Sequence, residues 1–262
     1  MLWVWLLLLG VAVGAVGTMI GAGGGFILVP ILLVIYPTER PEIITCISLA
    51  VVFFNAASGS LAYAKMNRID YRGAIIFSLA TMPGAIIGAM CTSAISRRHF
   101  DLILGSLLLA LSIFLLVRPV KVREELGGAA NTHGDRRRTP RQYLYGALLS
   151  LGVGFASSLL GIGGGIIHVP AMVHLLGYPV HIATATSHLT LAVMALAGTI
   201  VHMVSGVFTI GYRRTFCLAI GVLIGAQVGA LLSNRVRGAW IMRGLAVALG
   251  AVAVRVLAQG LW

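Results

Sequence analysis

The sequence predicts an all-α polytopic membrane protein made of two homologous halves. Each half is expected to hold about four transmembrane helices and one Gly-rich broken or re-entrant helix. Three observations carry this. The 262 residues are 59% hydrophobic and 10% charged, a balance that excludes an ordinary soluble domain. Between Tyr143 and Tyr212 no Asp, Glu, Lys or Arg occurs, a run long enough for more than one crossing at about 20 residues each. Finally, Gly21-Ala22-Gly23-Gly24-Gly25-Phe26-Ile27-Leu28-Val29-Pro30 returns as Gly161-Ile162-Gly163-Gly164-Gly165-Ile166-Ile167-His168-Val169-Pro170, displaced by 140 residues with the glycines and the Val-Pro pair in register. The repeat divides the chain into a first transmembrane repeat over 1–117, a basic linker over 118–141 and a second transmembrane repeat over 142–262.

In the first half, Leu2 to Ile20 reads as a retained first span, since Met1-Leu2-Trp3-Val4-Trp5 lacks the basic start of a signal peptide. Four glycines and a proline then interrupt apolar sequence, where they weaken a membrane helix through low propensity and a missing backbone donor. The next segment, Phe26 to Tyr36, covers only half a bilayer at about 1.5 Å per residue. Pro37 to Glu42 is a polar loop. Ile43 to Ala64 spans again, Lys65 to Arg72 is a basic loop, and Gly73 to Ser96 is the third span. Arg97-Arg98-His99 is read as closing that span, and Leu102 to Val117 completes the half.

The second half repeats the plan with Tyr143 to Leu160, Ile166 to Leu176, a Gly177-Tyr178-Pro179 turn, Ala183 to Ser205, Thr215 to Asn234, and Gly244 to Val254 with its flanks. Gly84-Ala85 and Gly88-Ala89 recur as Gly225-Ala226 and Gly229-Ala230, small residues that let helices approach closely. If each half-helix completes the crossing begun before it, the halves are parallel and both termini are cytoplasmic. If it returns or makes a crossing of its own, the halves are inverted. Sequence leaves both open.

The net charge of +12 suggests nucleic acid until it is located. Its largest cluster, Arg118 to Arg141, lies between apolar blocks, so it reads as a cytoplasmic topology signal facing anionic lipid headgroups, with no nucleic-acid partner. Cys46, Cys91 and Cys217 stand singly in apolar sequence, without the spacing of a disulfide framework or metal site.

All seven carboxylates fall in loops or at span ends, which removes paired acids for catalysis, a buried proton-relay carboxylate and ligands for a hard cation. No enzyme activity, metal or cofactor is expected. What remains within the apolar blocks is glycine backbone, hydroxyls, amides and histidine. A half-helix that starts at a glycine break points free N–H groups and a positive dipole end inward, which suits an anion. Gly23, Gly24, Gly25 and Gly163, Gly164, Gly165 are therefore the candidate cradle, Gly24 and Gly164 being expected to hold positive φ. The competing role for these glycines is tight helix packing. Thr45 and Ser48, and Thr186 and Ser187 with Thr184 and Thr190, open the following spans and offer hydroxyls, although such groups often bond back to their own helix. Asn55 and Gln227 are either cavity-facing or interhelical clasps, because an unsatisfied amide in lipid is costly. Among the histidines, His188 beside Ser187 is the candidate donor or proton-linked group. His174, His181 and His188 are seven residues apart, but Gly177 and Pro179 break the helix between them, so they share no face.

The two Gly-x-Gly-Gly-Gly motifs with their Val-Pro pairs, the basic linker and Thr184-Ala185-Thr186-Ser187-His188 resemble the TauE/SafE sulfite-exporter-like transporters over nearly the whole chain. The resemblance implies a multi-pass protein of a bacterial or archaeal plasma membrane that moves a small sulfur-containing anion such as sulfite or an organosulfonate. It also implies a translocation centre at the glycine stretches and the hydroxyls that follow. Ile47-Ser48-Leu49 stands where the second half has Thr186-Ser187-His188, so the half-sites need not contribute equally. The rival readings are an anion channel or uptake permease with the same site, and an intramembrane metal or haem protein using the second-half histidines. A homo-oligomer is left open.

Overall fold

The computed structural model describes residues 2–117, 140–233, 235–236 and 238–261, and among these every regular element is helical. The elements are α1 (Leu2–Ile20), α2 (Gly25–Ile35), α3 (Pro41–Lys65), α4 (Tyr71–Cys91) extended by a 3₁₀ turn (Thr92–Ala94), α5 (Arg97–Val117), α6 (Pro140–Leu160), α7 (Gly165–His174), α8 (Val180–Val204), α9 (Phe208–Ser233) and α10 (Gly238–Leu261). On either side of the linker the order is long, short, long, long, long. Seven helices among the described residues, α1, α3, α4, α5, α6, α8 and α9, are long and apolar enough to cross a membrane, and α10 has 24 residues. Apart from Pro140 and Arg141, the basic linker over 118–141 lies outside the described residues.

The glycine breaks fall where the sequence placed them, and α1 ends at Ile20. One boundary is corrected: Arg97, Arg98 and His99 open α5 instead of closing the span before it. The reason is the work Arg97 does there. Its guanidinium donates to the carbonyls of Leu33 (3.0 Å), Pro37 (3.3 Å) and Glu39 (3.2 Å) and pairs with Asp101 one turn on (3.1 Å). It thereby satisfies acceptors that the end of α2 leaves without intrahelical donors. Arg214 of α9 pairs with Glu39 (2.9 Å) and lies 3.8 Å from the Tyr36 ring centroid. One end of the bundle thus gathers the C-terminal end of α2 and the N-terminal parts of α3, α5 and α9.

The opposite end gathers a different set. Asp70 accepts from the Tyr178 hydroxyl (2.7 Å) in the α7–α8 turn, and its N–H donates to Thr186 Oγ1 (3.0 Å). Arg72 lies over the Tyr143 ring of α6, and Phe114, near the end of α5, meets His174 at the end of α7.

The closest packing runs between segments on opposite sides of the linker: α1 lies along α9, and α6 along α4. Both pairs are parallel. A Cβ on Gly225 would stand 2.9 Å from Ala15 N and one on Gly229 2.9 Å from Ala15 C, while Gly84 and Gly88 meet Phe155 and Leu159 of α6 in the same way. Small residues at these positions let the backbones touch. α2 and α7 are held inside, with Phe26, Leu28, Ile166 and Val169 fully buried, whereas Leu8, Ile75, Leu79, Leu231 and Val247 face outward as a lipid-exposed surface requires.

Candidate site at the crossing of the two breaks

Both breaks are turns that demand glycine. Gly21, Gly23 and Gly24 have φ of 85°, 73° and 82°, and Gly161 and Gly163 have 67° and 72°. That left-handed region costs another residue about 1–2 kcal/mol. The shared positive φ expected of Gly24 and Gly164 holds for Gly24 and is corrected for Gly164, whose φ is −62°. The chain has already turned by Gly163, so Gly164 enters α7 in helical geometry.

The two breaks lie against each other, backbone to backbone. A Cβ on Gly25 would stand 2.6 Å from the carbonyl carbon of Ile162, and one on Gly165 would stand 2.7 Å from Ala22 Cα. Threonines cover the outer ends, Thr184 against Gly21 and Thr45 against Gly161, each with its Cα 2.9 Å from the Cβ that the glycine lacks. Ser48 Oγ donates to Gly161 O (2.6 Å) and ties α3 to the second break. Gly23 packs against Leu191 and Val52, and Gly163 against Ala22 O and Val52.

A small cavity opens at the start of α7. Thr81, Gly164, Gly165, His168, Ser187 and Thr190 line it, with Val153, Leu191 and Met194 supplying apolar wall. Its free space, about 10 Å³, is close to the least that holds one water. The first α7 bonds run from Ile167 N and His168 N to Gly164 O (3.1 and 2.8 Å), so the N–H groups of Gly165 and Ile166 precede the helical ladder. Ser187 is 1% exposed and its Oγ has no partner. His168 is anchored through Nε2 to Ser150 Oγ (2.9 Å), with its ring edge-on to Phe77.

The predicted site residues separate into groups. Gly164, Gly165 and Ser187 meet at the cavity. His188 is adjacent to Ser187 in sequence, but about 100° around the helix it faces another neighbour: its Nε2 contacts Thr18 Oγ1 (3.2 Å), which donates to Asn55 Oδ1 (3.1 Å), while Tyr63 OH donates to Thr18 O (2.7 Å). Asn55 and His188 therefore clasp α1 between α3 and α8. Thr186 accepts from Asp70, Thr45 and Ser48 cover the second break, and Gln227 Nε2 donates to Ser58 O (2.9 Å) as a clasp of α9 on α3. Among the described residues no three His, Cys, Asp or Glu side chains converge as metal ligands.

His168 and Thr81 are the cavity residues that sequence reasoning passed over. His168 had a signal, since it stands inside the repeated motif where the first copy has Leu28. Thr81 had none, because α4 is distant in sequence from both breaks.

A family model described as sulfite exporter TauE/SafE matches residues 6–256. A probable membrane transporter protein YunE of Bacillus subtilis is 29% identical over 98% of this chain and 98% of its own. A probable membrane transporter protein of Xylella fastidiosa is 27% identical over 87% and 82%, and MJ0441 of Methanocaldococcus jannaschii, with the same description, is 25% identical over 88% and 86%. No solved structure matches the chain. A match that takes in both breaks and the cavity and reaches each of the ten described helices makes the chain a membrane transporter belonging to the TauE/SafE sulfite exporter family.

Proposed function

We propose that the protein is a secondary transporter, working as an exporter, of a small sulfur-containing oxyanion such as sulfite or an organosulfonate, bound at the start of α7 beside the crossing of the two breaks. The observations that support this are the start of α7 at the second glycine break, where the N–H groups of Gly165 and Ile166 precede the helical ladder, and the buried, unpartnered hydroxyl of nearby Ser187, with no carboxylate among the residues around the small cavity there. A helix start of this kind favours negative charge. The family description and the relatives' names agree in class. The test is a proteoliposome flux panel of sulfite, sulfate, thiosulfate, sulfoacetate and carboxylates. Saturable flux of one or more sulfur oxyanions is expected. Flux linear in concentration would make the protein a channel, and no oxyanion flux would overturn the reading.

The same reading includes two inverted halves, each with its short helix re-entrant. α1 runs parallel to α9, whose Arg214 reaches Glu39, and the end of α2 bonds Arg97 beside that same loop; the α1–α2 pair thus begins and finishes at one end of the bundle. The α6–α7 pair does so at the opposite end, by Tyr143 and Tyr178. Helix pairs that return add no net crossing, so each half crosses three times and the termini share the side opposite the linker. Lys65 at the end of α3, Arg68 in the turn after it, Arg72 at the start of α4 and Arg235 after α9 lie at the linker's end, which the positive-inside bias makes cytoplasmic. In a cysteine-free background, Thr38→Cys should react with an impermeant maleimide from outside intact cells and Asn131→Cys only after permeabilisation. The reverse labelling would sink this topology.

A further inference from the structure

We infer that the two Tyr-Pro turns that follow the short helices are the transporter's two gates, one at each end of the bundle, each latched shut by the fourth helix of the opposite half. Tyr36 and Glu39 are held by Arg214 at one end, and Tyr178 is held by Asp70 at the other. Which membrane face each gate serves rests on the inverted topology above; the identity of the anion does not enter.

The chain carries the device twice, in register. Tyr36-Pro37, beyond the first Val-Pro pair, returns beyond the second as Tyr178-Pro179, and Tyr71-Arg72 at the start of α4 returns as Tyr212-Arg213 in α9. The residue after each Tyr-Arg pair, Gly73 or Arg214, is the one that meets the tyrosine of the other half. Arg214 lies 3.8 Å from the Tyr36 ring centroid and pairs with Glu39 at 2.9 Å. A Cβ on Gly73 would stand 2.8 Å from Tyr178 Oη, so glycine at this position lets the hydroxyl reach Asp70 and donate to it (2.7 Å). One position thus does one task with two chemistries, a cation over a ring at one end and room for a phenol–carboxylate bond at the other.

A solute can reach the breaks only if one end parts. Residues 20–26 and 160–166 are all buried, and the free space beside them, about 10 Å³, holds about one water. The long helices offer no easy opening, because α4 meets α6 and α9 meets α1 backbone to backbone at Gly84, Gly88, Gly225 and Gly229. The turns are tied across the halves by side-chain tips instead. Arg97 binds the outer turn to α5 of its own half, which leaves Arg214 as the tie to the other half there, in an ion pair whose side chains are 27% and 22% exposed. Water can replace such contacts at small cost. Each turn also leads into the helix that covers the other half's break. Beyond the outer turn, α3 lays Thr45 on Gly161 and bonds that break through Ser48 (2.6 Å). Beyond the inner turn, α8 lays Thr184 on Gly21, and its Thr186 Oγ1 accepts from Asp70 N–H (3.0 Å). Release of one turn therefore loosens the cover of one break while the latch at the other end stays made, which opens the path to one face at a time.

The test reads access to the breaks from each face. In the full chain, made cysteine-free and carrying Ser187→Cys, labelling by an impermeant trimethylammonium methanethiosulfonate is followed in intact cells and in inverted membrane vesicles. With both latches intact, labelling should be slow from either face. Arg214→Gln should speed it about tenfold from outside and not from inside, and Tyr178→Phe, which removes only the hydroxyl, should speed it about tenfold from inside and not from outside, as loss of one contact to a charged group implies. Glu39→Gln and Gly73→Ala, the second crowding Tyr178 Oη while keeping both partners, serve if either of those variants does not fold. Equal acceleration at both faces would reduce these contacts to packing and overturn the inference, and so would unchanged rates. Acceleration confined to one face, but to the face opposite the one expected, would keep the gates and overturn the topology beneath them.

Discussion

Gly25→Ala and Gly165→Ala should each strip the folded protein from the membrane, because the added methyl meets the backbone of the other break. Neither glycine has positive φ, so the cost is steric. The new Cβ of Gly25 would sit 2.6 Å from both the carbonyl carbon and oxygen of Ile162 and 2.8 Å from Gly161 O. That of Gly165 would fall on Gly21 O, 2.7 Å from Ala22 Cα. All are backbone atoms of the other break, and no rotamer change relieves them. Overpacking that side chains can absorb costs about 1–3 kcal/mol, and here the whole crossing must part, so about 3 kcal/mol or more is expected. Detergent-solubilised thermal unfolding and monodispersity would read it, with Gly152→Ala as the control, since a Cβ there meets nothing within 4 Å. Equal stability of Gly165→Ala and Gly152→Ala would refute the close backbone approach.

The second large effect is on transport alone. Gly164→Ala should express and unfold like wild type yet lower flux about tenfold or more, the value of one charge-assisted hydrogen bond to the anion. Its φ of −62° suits alanine, and the new methyl would meet only side-chain tips, Val153 Cγ1 at 2.9 Å, Met194 Sδ at 3.2 Å and Ser157 Oγ at 3.2 Å, which can shift. Val153 and Met194 are cavity walls, however, and a methyl between them fills the space beside the α7 N–H groups. Gly24→Ala should behave differently, losing stability as well, because its φ is 82° and its Cβ would stand 2.6 Å from Val13 Cγ1 and 2.9 Å from Val13 O. Wild-type flux in Gly164→Ala would move the anion site away from α7.

These contrasts mark what was readable in the chain. The breaks, the short helices and α1 were legible because glycine runs and apolar length are local properties that tertiary packing does not override. Arg97 was not, since an arginine that opens a helix and one that closes a span look alike until Leu33 O and Asp101 are seen around it. The direction of α2 and α7 was hidden for a similar reason: an apolar segment of about ten residues has no intrinsic heading, and only partners such as Arg97 and Asp70 give it one. Ser187 and its neighbour His188 were read together as site candidates, and of the two only Ser187 lines the small cavity. Helical rotation separates them, and the histidine that reaches the cavity is His168, carried there by the motif itself. The donor-rich character expected from hydroxyl content also failed in part, because Thr81 and Thr190 spend their protons on their own helices.

The pairing of α1 with α9 and of α6 with α4 has a consequence for biogenesis. As the ribosome delivers the chain, α1 enters the bilayer with the backbone surface at Gly10 and Gly14 bare, and the segment that covers them lies around Leu218 to Val222, not yet synthesised. The first 117 residues must therefore wait, inserted but unclosed, held in lipid or by an insertase until the second half arrives and both grooves fill together. The unit of folding is the entire polypeptide, so a lesion late in the gene should be felt first as a failure of the earliest helix to settle.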